Sequence, residues 1–216
     1  MLPNLIVPTL RRYELLVELV QSIDFPVQHL LVVDNGDELV GLPVSEFVEQ
    51  VTILRMPANL GVAGSWNLGV KSFPFADRWF ICSDDVRFSP GGLQSWFEQS
   101  SPEDVAVSVE WPHWQFFAVG EQVIHKIGLW DECLFPANFE DDDFQARCEA
   151  QGVPIRQIAV DHHHVRQGTV HFGHYAGENA RTYPLNEAYY KAKRDRGDLS
   201  AGQWSLERRR VQEWRK

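Results

Sequence analysis

Hydrophobic positions along the first hundred residues follow two alternating patterns. Short aliphatic or β-branched runs at Leu5-Ile6-Val7, His29 to Val33, Val51 to Leu54 and Trp79 to Cys82 read as strands. Leu15, Leu16, Leu19, Val20 and Ile23 instead fall on one helical face, and Pro26 stops that segment. Further helices are expected near Ser65 to Ser72 and Gly92 to Gln99, a weaker helix or loop from Leu39 to Val48, and another strand at Val105 to Val109. Strands joined by helices predict an α/β fold with a mostly parallel, doubly wound sheet flanked by helices. After Glu110 the alternation weakens and Trp111, Trp114, Phe116, Phe117 and Trp130 crowd together, so a second, C-terminal lobe is expected there. A helix is predicted from Asp142 to Ala150, capped by Gly152, followed by an extended strand from Ile155 to Val165. The expected organisation is 1–110, 111–189 and a basic tail over 190–216.

Composition narrows this picture. The chain has 216 residues, 44% of them hydrophobic and 23% charged, which suits one core and excludes disordered and disulfide-scaffold classes. Its apolar runs fall far short of the ~20 residues of a membrane span, and no signal-like leader opens it. Cys82, Cys133 and Cys148 are odd in number and contain no CxxC pair. A soluble, unexported, cytoplasmic protein with reduced thiols is the expectation. The formal charge of -10 disfavours the whole surface as a nucleic-acid platform. After Tyr190, however, nine Lys/Arg stand against four Asp/Glu. That tail reads either as a solvated terminal helix or as a contact for a membrane surface or other polyanion.

Candidate chemistry clusters where strands end, the edge at which open parallel sheets bind ligands. The expected strands run into Pro8-Thr9-Leu10, Asp34-Asn35-Gly36, the stretch Asn59-Leu60-Gly61 to Asn67, and Ser83-Asp84-Asp85. The glycine stretch lacks both GxGxxG and GKS/GKT, which argues against dinucleotide binding and P-loop chemistry. Adjacent carboxylates at Asp84 and Asp85 repel unless screened, and hard oxygen ligands suit Mg²⁺ or Mn²⁺. The acidic run Glu140-Asp141-Asp142-Asp143 complements a helix N-terminus, yet four successive acids exceed that need, and their repulsion should raise at least one pKa. Finally, His162, His163, His164, His171 and His174 lie within thirteen residues and make a metal ligand plausible.

These residues together resemble family 2-like glycosyltransferases with the GT-A (Rossmann-like) fold. The motifs are Leu5 to Thr9, Val32 to Gly36, Asn59-Leu60-Gly61-x-Ala63-Gly64-x-x-Asn67-x-Gly69 and Ser83 to Val86. To these the second half adds Ile127-Gly128-x-Trp130-Asp131-Glu132-x-x-Phe135 and Phe139-Glu140-Asp141-x-Asp143-Phe144-x-x-Arg147. The resemblance covers roughly residues 4 to 170. It implies a nucleotide-sugar-binding half (1–110) and an acceptor and catalytic half (111–189) of one domain. It also implies transfer of a single sugar from a UDP- or dTDP-sugar to an acceptor hydroxyl, with Mn²⁺ or Mg²⁺ as cofactor and inversion of configuration.

Carried over residue by residue, Thr9 and Asp34 would hold the nucleobase, and Asn59, Gly61 and Asn67 would line the nucleotide and diphosphate. Asp84 would sit near the ribose or sugar. Asp85 would ligate the metal with His164, His162 being the alternate. Asp141 would be the general base, and Trp130, Asp131 and Glu140 would face the acceptor. The chain departs from the pattern at Ser83, where the longer acidic motif has its first acid, and at Trp66, where a basic or polar residue is often found. The QxxRW motif and membrane helices of processive synthases are absent. The acceptor is left open among glycan, lipid, protein, small molecule and modified DNA. A sugar nucleotidyltransferase would need a glycine-rich basic loop after the first strand, and Pro8 to Arg12 contains no glycine. A non-catalytic nucleotide- or glycan-binding module is the remaining alternative.

Overall fold

The computed structural model describes residues 1–165 and 174–201. Its centre is a seven-stranded sheet of order β3-β2-β1-β4-β7-β6-β8. The strands are β1 (Leu5–Thr9), β2 (Val27–Asp34), β3 (Val48–Arg55), β4 (Arg78–Cys82), β6 (Val105–Ser108), β7 (Phe116–Gly120) and β8 (Ile155–Ile158). Only β7 runs against its neighbours; all other pairings in this sheet are parallel. A small antiparallel sheet joins β5 (Val86–Phe88) to β9 (His162–His164).

Helices cover both faces, and the strands are accordingly apolar on both sides. Successive residues alternate between two cores. Phe80, Cys82, Phe116 and Ala118 face one core, which also contains Leu16 and Leu19 of α1 (Tyr13–Gln21) and Trp96 of α3 (Gly92–Gln99). Trp79, Ile81, Phe117 and Val119 face the other. There they meet Trp66 of α2 (Gly61–Ser72), Val123 of α4 (Glu121–Ile127) and Phe144 of α5 (Glu140–Ala150). Gly69 is required by this packing, since a Cβ there would lie 2.4 Å from Ile6 of β1.

The predicted α/β, mostly parallel sheet is present, with several local corrections. Leu39 to Phe47 holds no helix; Leu39 is buried against the first core and the rest connects β2 to β3. The expected strand from Ile155 to Val165 divides: the chain leaves the large sheet at Ile158, Ser89 N donates to Asp161 O (3.0 Å), and β9 pairs with β5. Strand β7 and helix α4 lie in the aromatic stretch whose periodicity was weak. Helix α6 (His174–Asp195) begins well before the terminal helix considered for the tail; it contains Pro184, and the side chains it turns inward are polar. The 189/190 boundary falls within it, and residues after Ala201 lie outside the described part. Among the described residues no helix is long and apolar enough to cross a membrane.

A buried charge network anchors α6. Lys193 Nζ lies 2.7 Å from both Asp131 Oδ2 and Asp143 Oδ1. Arg147 Nε donates to Asp143 Oδ2 (2.9 Å), while its Nη1 and Nη2 donate to the carbonyls of Ile127 and Leu129. Tyr189 and Cys133 N complete the donors around Asp131. Asp131, Asp143, Arg147 and Lys193 are all nearly inaccessible. Removing one partner leaves an uncompensated buried charge, so Lys193→Met is expected to cost about 3–5 kcal/mol of unfolding free energy in urea titrations.

Candidate active site

The carboxyl ends of β1, β2 and β4 open into a cleft of about 350 Å³, within the range of small-molecule sites. Thr9 enters at the end of β1, Asn35 just past β2, Asn59, Gly61, Ser65 and Trp66 from the start of α2, and Asp84 and Asp85 just past β4. The opposite wall is Asn138, Glu140 and Asp141 at the start of α5, while His164 of β9 lies beside Asp85. Tyr175, Glu178 and Asn179 of α6 close the remaining side.

Asp84 and Asp85 differ in environment. Thr9 Oγ1 donates to Asp84 Oδ2 at 2.7 Å, and Arg87 donates to the Asp84 carbonyl. Burial outweighs the Thr9 hydrogen bond and pushes the Asp84 pKa up to about 7. Asp85 instead meets His164, whose Nε2 is 3.1 Å from Oδ1. The register pairing Val86 with His164, together with the bond from Val165 N to Asp85 O, brings that imidazole over from a strand 79 residues away. His164 Nδ1 is buried without a partner among the described residues. His162 points elsewhere: its ring packs edge-on against Phe116 and Nδ1 contacts Val160 O. His163 is exposed, the His174 side chain is not described, and His171 lies outside the described residues.

The acidic run at α5 divides by environment. Asp143 belongs to the buried charge network. Glu140 and Asp141 face the cleft, and Glu140 Oε2 is buried without a partner among the described residues. Burial, then the neighbouring Asp141 charge, raises the Glu140 pKa. For Asp141, burial followed by the Asp142 charge pushes the pKa up to about 6. The segment that presents them is strained: Asn138 (φ 81°) and Phe139 (φ 73°) both occupy the left-handed region, uncommon for a bulky side chain. Helix α6 holds them there. Asn179 Oδ1 accepts from Asn138 Nδ2 (2.6 Å), Asn186 donates to Ala137 O (2.8 Å), and Phe139 stacks on Tyr190 (5.6 Å between centroids). Gly61 (φ 73°) is needed on the facing side, where a Cβ would lie 2.8 Å from Pro136 O.

Of the residues singled out in the sequence, Thr9, Asn59, Gly61, Asp84, Asp85, Glu140, Asp141 and His164 line this one cleft. Asp34, Asn67, Trp130 and Asp131 do not. Asp34 is fully buried and accepts from Tyr13 OH, Gly36 N and Leu39 N, bracing the turn after β2. Its neighbour Asn35 reaches the cleft, bonded to Ser65 Oγ and Leu60 N. Strand alternation explains the exchange, because Val32 faces the α1 core and Leu31 the α2 core. Asn67 clasps the backbone of Trp130 through its amide (2.9 and 3.0 Å). Trp130 is wholly buried and stacks on Phe144 at 4.5 Å. Trp114, Tyr175, Glu178 and Asn179 were not anticipated, and no local pattern marks the α6 residues.

Among the described residues no group of three or more His, Cys, Asp or Glu is set at metal-binding spacing. The pair Asp85 and His164 nevertheless fits a hard divalent ion that takes its other ligands from substrate phosphates and water. The lining carries five carboxylates and, among the described residues, no Lys or Arg.

No protein-family model and no curated protein matches the sequence. Solved structures do match. A point mutant of Drosophila β1,4-galactosyltransferase 7, in complex with manganese, UDP-Gal and xylobiose, gives a TM-score of 0.53 at 15% identity over 76% of this chain and 70% of that one. The catalytic domain of the same Drosophila enzyme in complex with xylobiose gives 0.50 at 16% over the same shares. S. aureus TarS gives 0.51 at 13% over 75% of this chain; the match spans only 36% of TarS. At such identities the likeness is one of fold, and that fold is the GT-A type.

The raised Asp141 pKa has a sign that stability measurements can read. Its ionisation in the unfolded chain opposes folding increasingly from the ordinary value of 3.8 up to about 6, in full above that, and the cost vanishes once folded and unfolded states are both protonated. Asp141→Asn is therefore expected to raise Tm by about a few degrees at pH ~8 and to leave it unchanged near pH ~3, followed by scanning calorimetry.

Proposed function

We propose that this chain is a metal-dependent glycosyltransferase that moves one sugar from a UDP- or dTDP-sugar to an acceptor hydroxyl with inversion. The observation that carries the reading is a single cleft with the Asp85–His164 pair on one wall and Glu140 with Asp141 on the other. A cleft lined by acidic side chains and, among the described residues, by no Lys or Arg favours an anionic nucleotide that arrives with a cation. The GT-A neighbours add support, one being a complex with manganese and UDP-Gal.

In this reading Asp85 and His164 hold Mn²⁺ or Mg²⁺, which when bound neutralises the charge developing on the departing diphosphate. Thr9, Asn35, Asn59 and the start of α2 hold the nucleotide, with Asp84 near the ribose or sugar. Asp34, with three donors already on its carboxylate, braces this wall and is left out of the nucleobase contacts. Asp141 accepts the proton of the acceptor hydroxyl as that oxygen attacks the anomeric carbon on the face opposite the leaving group. A carboxylate with a pKa of about 6 is mostly ionised at neutral pH and still basic enough for the task. Glu140 stands beside it to meet sugar hydroxyls, and its burial favours the protonated, donating form.

Calorimetry with UDP and dTDP, with and without Mn²⁺, tests the donor side: binding should require the metal and be lost in Asp85→Ala. Failure of the wild-type chain to bind either nucleotide with Mn²⁺ would refute the proposal. Asp141→Asn should retain donor binding and lose transfer by a factor on the order of 10²–10⁴. The wild-type rate should fall about tenfold per pH unit below the Asp141 pKa, because only the ionised carboxylate accepts the proton. Product anomer analysis reports the stereochemistry.

A further inference from the structure

We infer that the acceptor is an oligosaccharide of at least two units, its second unit lying in a groove beyond Trp114. The inference rests on the glycosyltransferase reading and extends it to the acceptor. A second cavity of about 340 Å³ lies between α5, the turn His113–Gln115 and strands β6 and β8. Trp114 lines both this groove and the main cleft, so the two are neighbours across one indole.

Helix α5 connects them as well. Asp141 faces the cleft, and Gln145 and Glu149, four and eight residues on, line the groove. Residues at this spacing share one helix face and advance about 6 Å along the axis per step. A chain whose reacting hydroxyl sits at Asp141 is thus carried along α5 into the groove. The far wall is Ile155 and Gln157, which share a face of β8, an edge strand of the large sheet.

The groove's chemistry selects the occupant. Gln145 donates to Glu149 (2.9 Å), and His113 Nδ1 contacts Ser108 O (2.9 Å). Gln157 is exposed, and its side chain has no hydrogen-bond partner among the described residues. Val107, Val153 and Ile155 supply the aliphatic surface. Amides and a carboxylate over an aliphatic floor, edged by an indole, match a sugar ring, which has hydroxyls at its rim and C–H groups on its faces. No Lys or Arg lines the groove among the described residues, so it lacks the donors that hold nucleic-acid or lipid phosphates.

An array of immobilised mono-, di- and trisaccharides of defined sequence, probed with the full chain in the presence of Mn²⁺ and UDP, tests this. Signal should be confined to saccharides of two or more units. Gln157→Arg, which fills the groove from an exposed position, should weaken it at least about tenfold, the loss expected for one or two polar contacts. Gln145→Ala, also at an exposed site, should weaken it in the same direction. The inference fails if no oligosaccharide is retained, if monosaccharides are retained equally, or if both variants match the wild type. The donor reading is scored separately by calorimetry. UDP binding without a length preference removes the groove alone. A length preference sensitive to both variants upholds the groove even where UDP does not bind.

Discussion

Lys193 sits between two buried carboxylates, and most of the cleft wall formed by α5 depends on that contact. Asp143 would otherwise add a further uncompensated charge to the first turn of α5, beside Glu140, Asp141 and Asp142. With Lys193 on one oxygen and Arg147 on the other, Asp143 becomes a structural anion, and the network of two carboxylates and two cations is neutral. Glu140 and Asp141 are paired with no cation among the described residues and keep raised pKa values. One acidic run therefore serves two purposes, separated by about a quarter-turn of helix per residue.

The same network docks α6, and α6 in turn holds the strained approach to α5. Left-handed backbone at Asn138 and Phe139 persists because Asn179, Asn186 and Tyr190 over-determine it. The helix contributes little apolar surface to either core. Its role is polar clamping, which is why its packing does not register as hydrophobic periodicity. Electrostatically the cleft is a carboxylate-rich pocket, and burial rather than mutual repulsion is the leading reason its acids resist ionisation. In the proposed reading a diphosphate would enter such a site together with a cation, which would couple donor and metal binding by charge.

Much of this was legible beforehand. The first four strands of the sheet, α1, α2 and α3 follow from periodicity, and the strand ends carried most of the cleft's polar residues. What escaped was contact between distant segments. Trp130 read as a sugar platform because aromatic residues suit that role, yet Phe144 and Asn67 draw it into the core. Asp131 read as acceptor-facing, and Lys193, 62 residues later, turns it inward. The histidines were an ambiguous cluster until pairing of β9 with β5 set His164 against Asp85 and His162 against Phe116.

The amino-acid sequence by itself determined the α/β class, the mostly parallel sheet and the edge at which chemistry gathers, because hydrophobic period and strand-end polarity are local properties of the chain. Only the tertiary structure decided which of two nearby polar side chains faces the cleft: Asn35 and not Asp34, Asp141 and not Asp143. That choice is made by burial and by partners remote along the chain, and a carboxylate carries no mark of whether a lysine fifty residues away will neutralise it.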